Sequence, residues 1–182
     1  MMDLFTSFAG AATARHHQAL IAAGVPSEWL YGGPARFGVA RAVFAGPHWE
    51  PHEHGTAVCV LPDAPLSRPG EPADLMADLI AFRTADPARW WLLKGGAAIL
   101  NPTARDLAEW HGEPLAVHAS PLDWMRAGGG GVVVLDWTAH LPLHLGRVPL
   151  VAADLALGER LDRALNRPTD RTEISVMRRA AA

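Results

Sequence analysis

Glycine and proline interrupt this chain so often that no long regular element can form. Seventeen Gly and fifteen Pro fall within 182 residues, many of them in tight groups such as Gly24-Val25-Pro26, Gly32-Gly33-Pro34, Gly95-Gly96 and Gly128-Gly129-Gly130-Gly131. Proline removes a backbone donor and glycine carries the largest conformational entropy cost, so each group ends an element or turns the chain. Stability must then come from packing short elements onto a shared core. The composition permits this, with 49% apolar and 19% charged residues. A chain this long buries roughly 70% of the surface it exposes when unfolded, enough for one domain without disulfide or metal staples. Intrinsic disorder, collagen-like repeats and coiled coils are excluded.

Between the breakers, apolar spacing assigns the elements. Phe5, Phe8, Ala12, Ala19, Leu20 and Ala23 recur at helical spacing and predict a helix over 3–23, stopped by Gly24. Strands are expected at 36–44, 56–61 and 78–82, and a hairpin from 90–93 and 97–100 in the same sheet. Thr103 opens a helix to His111, and Ser120-Pro121 opens another to Gly128. Residues 115–118 form a short strand between them. Val132-Val133-Val134-Leu135 is apolar on both faces and reads as a central strand. A helix spans 154–165, and alternation at 173–177 predicts a last edge strand. Together these predict an α+β fold: a single compact domain over 1–177, with a mixed, mainly antiparallel sheet and three to four short helices, then a frayed tail at 178–182.

Charge narrows the partners. Sixteen Lys and Arg face nineteen Asp and Glu, a net charge of −3. Nonspecific nucleic-acid binders need a basic excess, so nucleic acid is not an expected partner. Cys59 is the sole cysteine; within one chain it can form neither a disulfide nor a cysteine zinc site. Met1 to Phe5 has no basic n-region, and no apolar run reaches membrane-spanning length, so the chain is expected in the cytoplasm, with no membrane partner.

Three polar groupings invite a chemical reading. The first is His48-Trp49-Glu50-Pro51-His52-Glu53-His54. In an extended segment His52 and His54 point to the same side, and with Glu50 they can share a divalent metal. This His-x-His spacing resembles the first motif of cupins, metal-binding β-barrels, although Gly55 to Leu61 lacks the acid that follows it in that family. The second is Gly128 to Gly131. Phosphate loops follow a strand and open a helix; here the order is reversed, so the run reads as a helix cap and turn. The third is Asp136 with His140 and His144, an acid after a buried strand with histidines in the following loop. No Gly-x-Ser-x-Gly elbow is present, and Cys59 lies in an apolar strand where a thiol is inert.

Seven Trp against one Tyr is the oddest ratio in the chain. Trp91, Trp110, Trp124 and Trp137 are candidate interaction residues, because Trp anchors many interfaces. Four stretches also carry a resemblance: Gly33-Pro34-Ala35-Arg36-Phe37-Gly38-Val39-Ala40-Arg41, Ala77-Asp78-Leu79-Ile80-Ala81-Phe82, Asp86-Pro87-Ala88-Arg89-Trp90-Trp91, and Pro121 to Trp137. Over residues 30–165 the chain resembles an uncharacterised family of small alphaproteobacterial and prophage proteins. The resemblance implies a bacterial or phage accessory protein and brings no catalytic residue with it. The expected function is therefore non-enzymatic, without cofactor, through a protein partner or self-association. The alternative is a metal-binding, cupin-like domain or enzyme using His52, His54 and Glu50.

Overall fold

The computed structural model describes residues 1–64 and 76–166. The strand expected at 173–177 and the tail at 178–182 lie outside the described residues. The first half of the chain carries α1 (Met2–Gly10), α2 (Ala14–Ala22), α3 (Ser27–Tyr31), β1 (Gly38–Ala45), β2 (His48–Pro51), β3 (Thr56–Pro62), β4 (Leu79–Arg83) and β5 (Asp86–Leu92). The second carries β6 (Ile99–Leu100), α4 (Pro102–His111), β7 (Leu115–His118), α5 (Pro121–Arg126), β8 (Val132–Val134), α6 (Leu141–Leu145), β9 (Leu150–Ala152) and α7 (Leu155–Leu165). The fold is α+β and its pairings are mainly antiparallel, but they form two sheets. The described residues hold seven helices, more than the three to four expected.

The expected N-terminal helix is two helices. Thr13 opens the second: its backbone N–H donates to Nδ1 of His16 at 3.1 Å, the return half of a capping box. Glu at the third helical position would have been the readable signal, and His16 stands there instead.

β1 to β5 close into a barrel in the order β1-β2-β5-β4-β3. β1 is flanked by two strands at once: Ala42 to Ala45 pair with β2, and Gly38 to Ala42 pair with β3. The segment 52–55 carries the chain from one edge of β1 to the other. Gly55 is required there, since a Cβ would lie 2.4 Å from the Ala42 carbonyl oxygen. The ring closes through a parallel pairing of His48 with Leu92.

Alternation splits the barrel residues between two clusters. Ala40, Ala42, Val60, Ala81 and Trp91 share one face with Trp49, and Phe5 of α1 packs onto them. Cys59, Leu61, Ile80, Phe82 and Leu92 share the other. That second face is the outer one, because its cluster also includes α2, α3, α5 and the second sheet.

The hairpin expected from 90–93 and 97–100 is not formed. β5 pairs with β4, and β6 pairs with β8 of the other sheet. The cause is a buried carboxylate. Asp78 accepts the backbone N–H groups of Lys94 at 2.9 Å and Gly96 at 2.7 Å, as well as that of Leu79 at 2.8 Å. Holding Lys94 and Gly96 there turns the chain out of the barrel. Gly95 sits at φ +76°, with the His48 ring where a Cβ would project.

The second sheet runs β6-β8-β7-β9, with β7 parallel to both its neighbours. β8 is central and buried on both faces, as its sequence predicts. Val132 and Val134 pack towards α6 and α7, while Val133 packs towards α5 and the barrel. No helix among the described residues is long and apolar enough to cross a membrane.

Candidate functional site

In a parallel sheet, ligands commonly bind at the carboxyl ends of strands where the strand order reverses. Here that point lies between β7 and β9, and its polar side chains are already engaged. Ser120 caps α5, with its hydroxyl accepting from the Asp123 N–H at 3.2 Å. Asp154 caps α7, accepting from the Leu157 N–H at 2.8 Å. Both residues complete helix ends, and the Ser120 hydroxyl also donates to Asp123 at 2.6 Å.

The glycine run lies at the opposite, amino end of β8, and its carbonyls are pinned. Asn101 Nδ2 donates to Gly129 at 3.2 Å and to Gly131 at 2.9 Å. Trp124 Nε1 donates to Gly131 at 3.1 Å, and His118 Nε2 donates to Gly130 at 2.9 Å. A loop that turns its carbonyls towards side-chain donors presents the wrong polarity for phosphate. Gly128, Gly129 and Gly131 all have positive φ, as a helix cap and tight turn require.

His52 and His54 stand in a turn rather than in an extended strand. Their rings still meet, 5.9 Å apart edge to face. His52 Nδ1 accepts the His54 backbone N–H at 3.2 Å, and His54 Nε2 lies 3.2 Å from Glu53. Glu50 is exposed on β2 and joins neither contact. Asp136 accepts the Thr138 hydroxyl at 2.6 Å and its N–H at 2.8 Å. The Thr138 hydroxyl is the main reason the Asp136 carboxyl sits below the usual aspartate range, and His144 adds a small electrostatic contribution. His140 is exposed at the start of α6. Among the described residues, no group of three or more His, Cys, Asp or Glu is placed to hold a metal ion.

The four candidate tryptophans separate clearly. Trp91 is 3% exposed and stacks on Phe44 at 4.0 Å. Trp124 is 1% exposed and meets Trp29 edge to face at 5.6 Å. Both are core residues rather than surface anchors, because they face the two barrel clusters. Trp137 is half-buried beneath Arg160, whose guanidinium carbon lies 3.8 Å from its ring centre. Trp110 alone of the four projects into solvent, 85% exposed.

The geometry of α4 explains Trp110. The helix turns Ala104 and Ala108 onto the sheet, an (i, i+4) pair of small side chains. Leu107 and Trp110, spaced (i, i+3), therefore share the outer face, and Leu107 is 54% exposed. Asp106, Glu109 and Glu113 flank them, all exposed, and Asp106 is paired with Arg105. Leu107 is an interaction candidate missed by reading tryptophans alone; its spacing from Trp110 on a helix lined by alanines is the signal that finds it. No protein-family model matches the chain, and no curated protein or solved structure is significantly similar to it.

Proposed function

We propose that this chain is a non-enzymatic accessory protein of the bacterial or phage cytoplasm that works by docking α4 into a partner protein. The observation that carries this reading is Trp110, a large aromatic held almost wholly in water on a helix anchored by the sheet. Leaving a Trp exposed forgoes the stabilisation its burial would give, and buried Trp is among the strongest interface anchors. Leu107 and Trp110 match the anchor spacing by which a helix enters an apolar groove. The exposed Glu109 and Glu113 favour a groove with a basic rim, Asp106 being neutralised by Arg105.

The test compares three full-length proteins used as bait in source-cell extract: wild type, Trp110→Ala, and Leu155→Ala as a surface control on α7, where Leu155 is 79% exposed. Melting is checked first, and exposed positions should shift stability by no more than about 0.5 kcal/mol. The expected result is a companion polypeptide retained by wild type and the control and lost by Trp110→Ala. A folded Trp110→Ala variant that keeps every companion overturns the reading.

A further inference from the structure

The barrel carries a recessed surface, remote from α4 in sequence and built from other elements. It lies between α2, the wall formed by β1 and β3, and the β4–β5 turn, an open recess of about 250 Å³. Its floor is apolar, formed by Leu20, Phe37, Val39 and Cys59, with His16 and Arg83 among its polar lining residues. Ligand pockets combine such a floor with a few fixed polar groups.

The polar groups here are defined. Thr13 fixes the tautomers of both neighbouring histidines. Its N–H donates to His16 Nδ1 at 3.1 Å, so the His16 proton is on Nε2. Its carbonyl, 3.0 Å from His17 Nδ1, can only accept, so the His17 proton is on Nδ1. His17 is then held between Tyr31, stacked at 5.0 Å, and Phe37, edge-on at 4.9 Å. That leaves the Nε2–H of His16 as a donor without a partner among the described residues. Arg83 supplies the other. Its Nη2 meets Asp86 at 3.3 Å, while Nη1, on a half-exposed guanidinium, has no hydrogen-bond partner among the described residues. The buried Nε itself admits no ligand atom, so an acceptor in the recess meets Arg83 at the exposed end of its guanidinium.

We infer that this recess is a binding site for a small monocarboxylate with an apolar body, its ring or chain on Leu20, Phe37 and Val39 and its carboxylate towards Arg83 and His16. Asp86 offsets part of the Arg83 charge, so one negative charge suffices. Two donors match the two oxygens of a carboxylate, whereas a phosphate would bring acceptors that the apolar floor cannot satisfy. The volume, below the range of drug-sized pockets, limits the ligand to about one ring and a short chain.

The probes are phenylacetate and its uncharged counterpart phenylacetamide, titrated into the full chain and followed by amide chemical shifts. Saturable shifts at Leu20, Phe37 and Val39 are expected with the acid, and about tenfold or weaker binding with the amide. Arg83→Gln should erase the preference for the acid. Ala19→Trp, at an exposed position on the rim, should block both probes while the protein stays folded. Absence of saturable phenylacetate binding, equal binding of acid and amide, or full acid preference in folded Arg83→Gln each overturns the proposal. None of these outcomes bears on α4 docking.

Discussion

Oδ1 of Asp63 accepts the backbone N–H of Asp78 at 3.1 Å, so two carboxylates are buried side by side where the barrel meets the second sheet. Asp78 accepts three backbone N–H groups, and removing it strands all three. Each stranded buried donor costs about 1–3 kcal/mol. Asp78→Ala should therefore lose about 3 kcal/mol or more in urea unfolding, and Asp78→Asn less, since an amide oxygen keeps part of the set. Equal stability of Asp78→Ala and wild type would contradict the role assigned to this turn.

The same pair gives a pH dependence with a definite sign. Burial, and secondarily the Asp78 charge, hold the Asp63 carboxyl above the usual aspartate range. The folded chain thus binds this proton more tightly than the unfolded chain. Its contribution is complete below the ordinary aspartate value of about 3.9 and is lost as pH rises through the folded value. Asp136 has the opposite sign: its lowered value contributes stability above the ordinary range, which is lost as pH falls through the folded value. Urea midpoints across the acid range should show that Asp63→Asn flattens the first slope and Thr138→Ala the second. A pH profile unchanged by both substitutions would sink this assignment.

Asn101 is the only described non-glycine residue with positive φ, at +62°. It holds that conformation while donating to two carbonyls of the glycine turn. Asn101→Ala loses the bonds and retains the strain; Asn101→Gly loses the bonds and relieves it. Both should be destabilised, the alanine variant by about 1 kcal/mol more. A glycine variant as stable as wild type would show the side-chain bonds contribute nothing.

Gly95 and His48 form a tight steric pair. A Cβ on Gly95 would approach His48 Cε1 to 2.7 Å, and the backbone there is already left-handed. Gly95→Ala should destabilise, and adding His48→Ala should recover part of the loss but not the backbone share. A double-mutant cycle reads the two apart. Strict additivity would show that the ring simply moves aside.

Burial pushes the Cys59 thiol up to about 12. The native protein at mild alkaline pH should therefore resist iodoacetamide, while urea-unfolded protein is alkylated rapidly. Rapid native labelling, followed by mass spectrometry, would contradict the burial of this thiol in the floor of the recess.

The elements that declared themselves in sequence were those specified locally. Ser120 and Asp154 were readable as helix starts because their caps lie three residues away. Val132 to Val134 were readable as a central strand because both faces are apolar. The barrel was not readable. Its closure depends on one parallel pairing of His48 with Leu92, and the fate of β5 depends on Asp78 reaching Lys94 across sixteen residues. Neither leaves a periodic trace. Tryptophan position near an element end also failed to report burial: Trp124 turns inward beside Trp29, whereas Trp110 turns outward because Ala104 and Ala108 occupy the inner face of α4.

Trp90 on β5 donates its Nε1–H to the Leu135 carbonyl at 3.1 Å, across the seam between barrel and second sheet. Around it, Phe82 and Leu92 from one side and Leu100, Val133 and Leu135 from the other belong to one continuous cluster. Neither sheet can therefore melt while the other keeps its full complement of neighbours. The two halves are expected to share a fate: heat or denaturant should remove them in one cooperative step, and damage to either should be felt as lost stability in both.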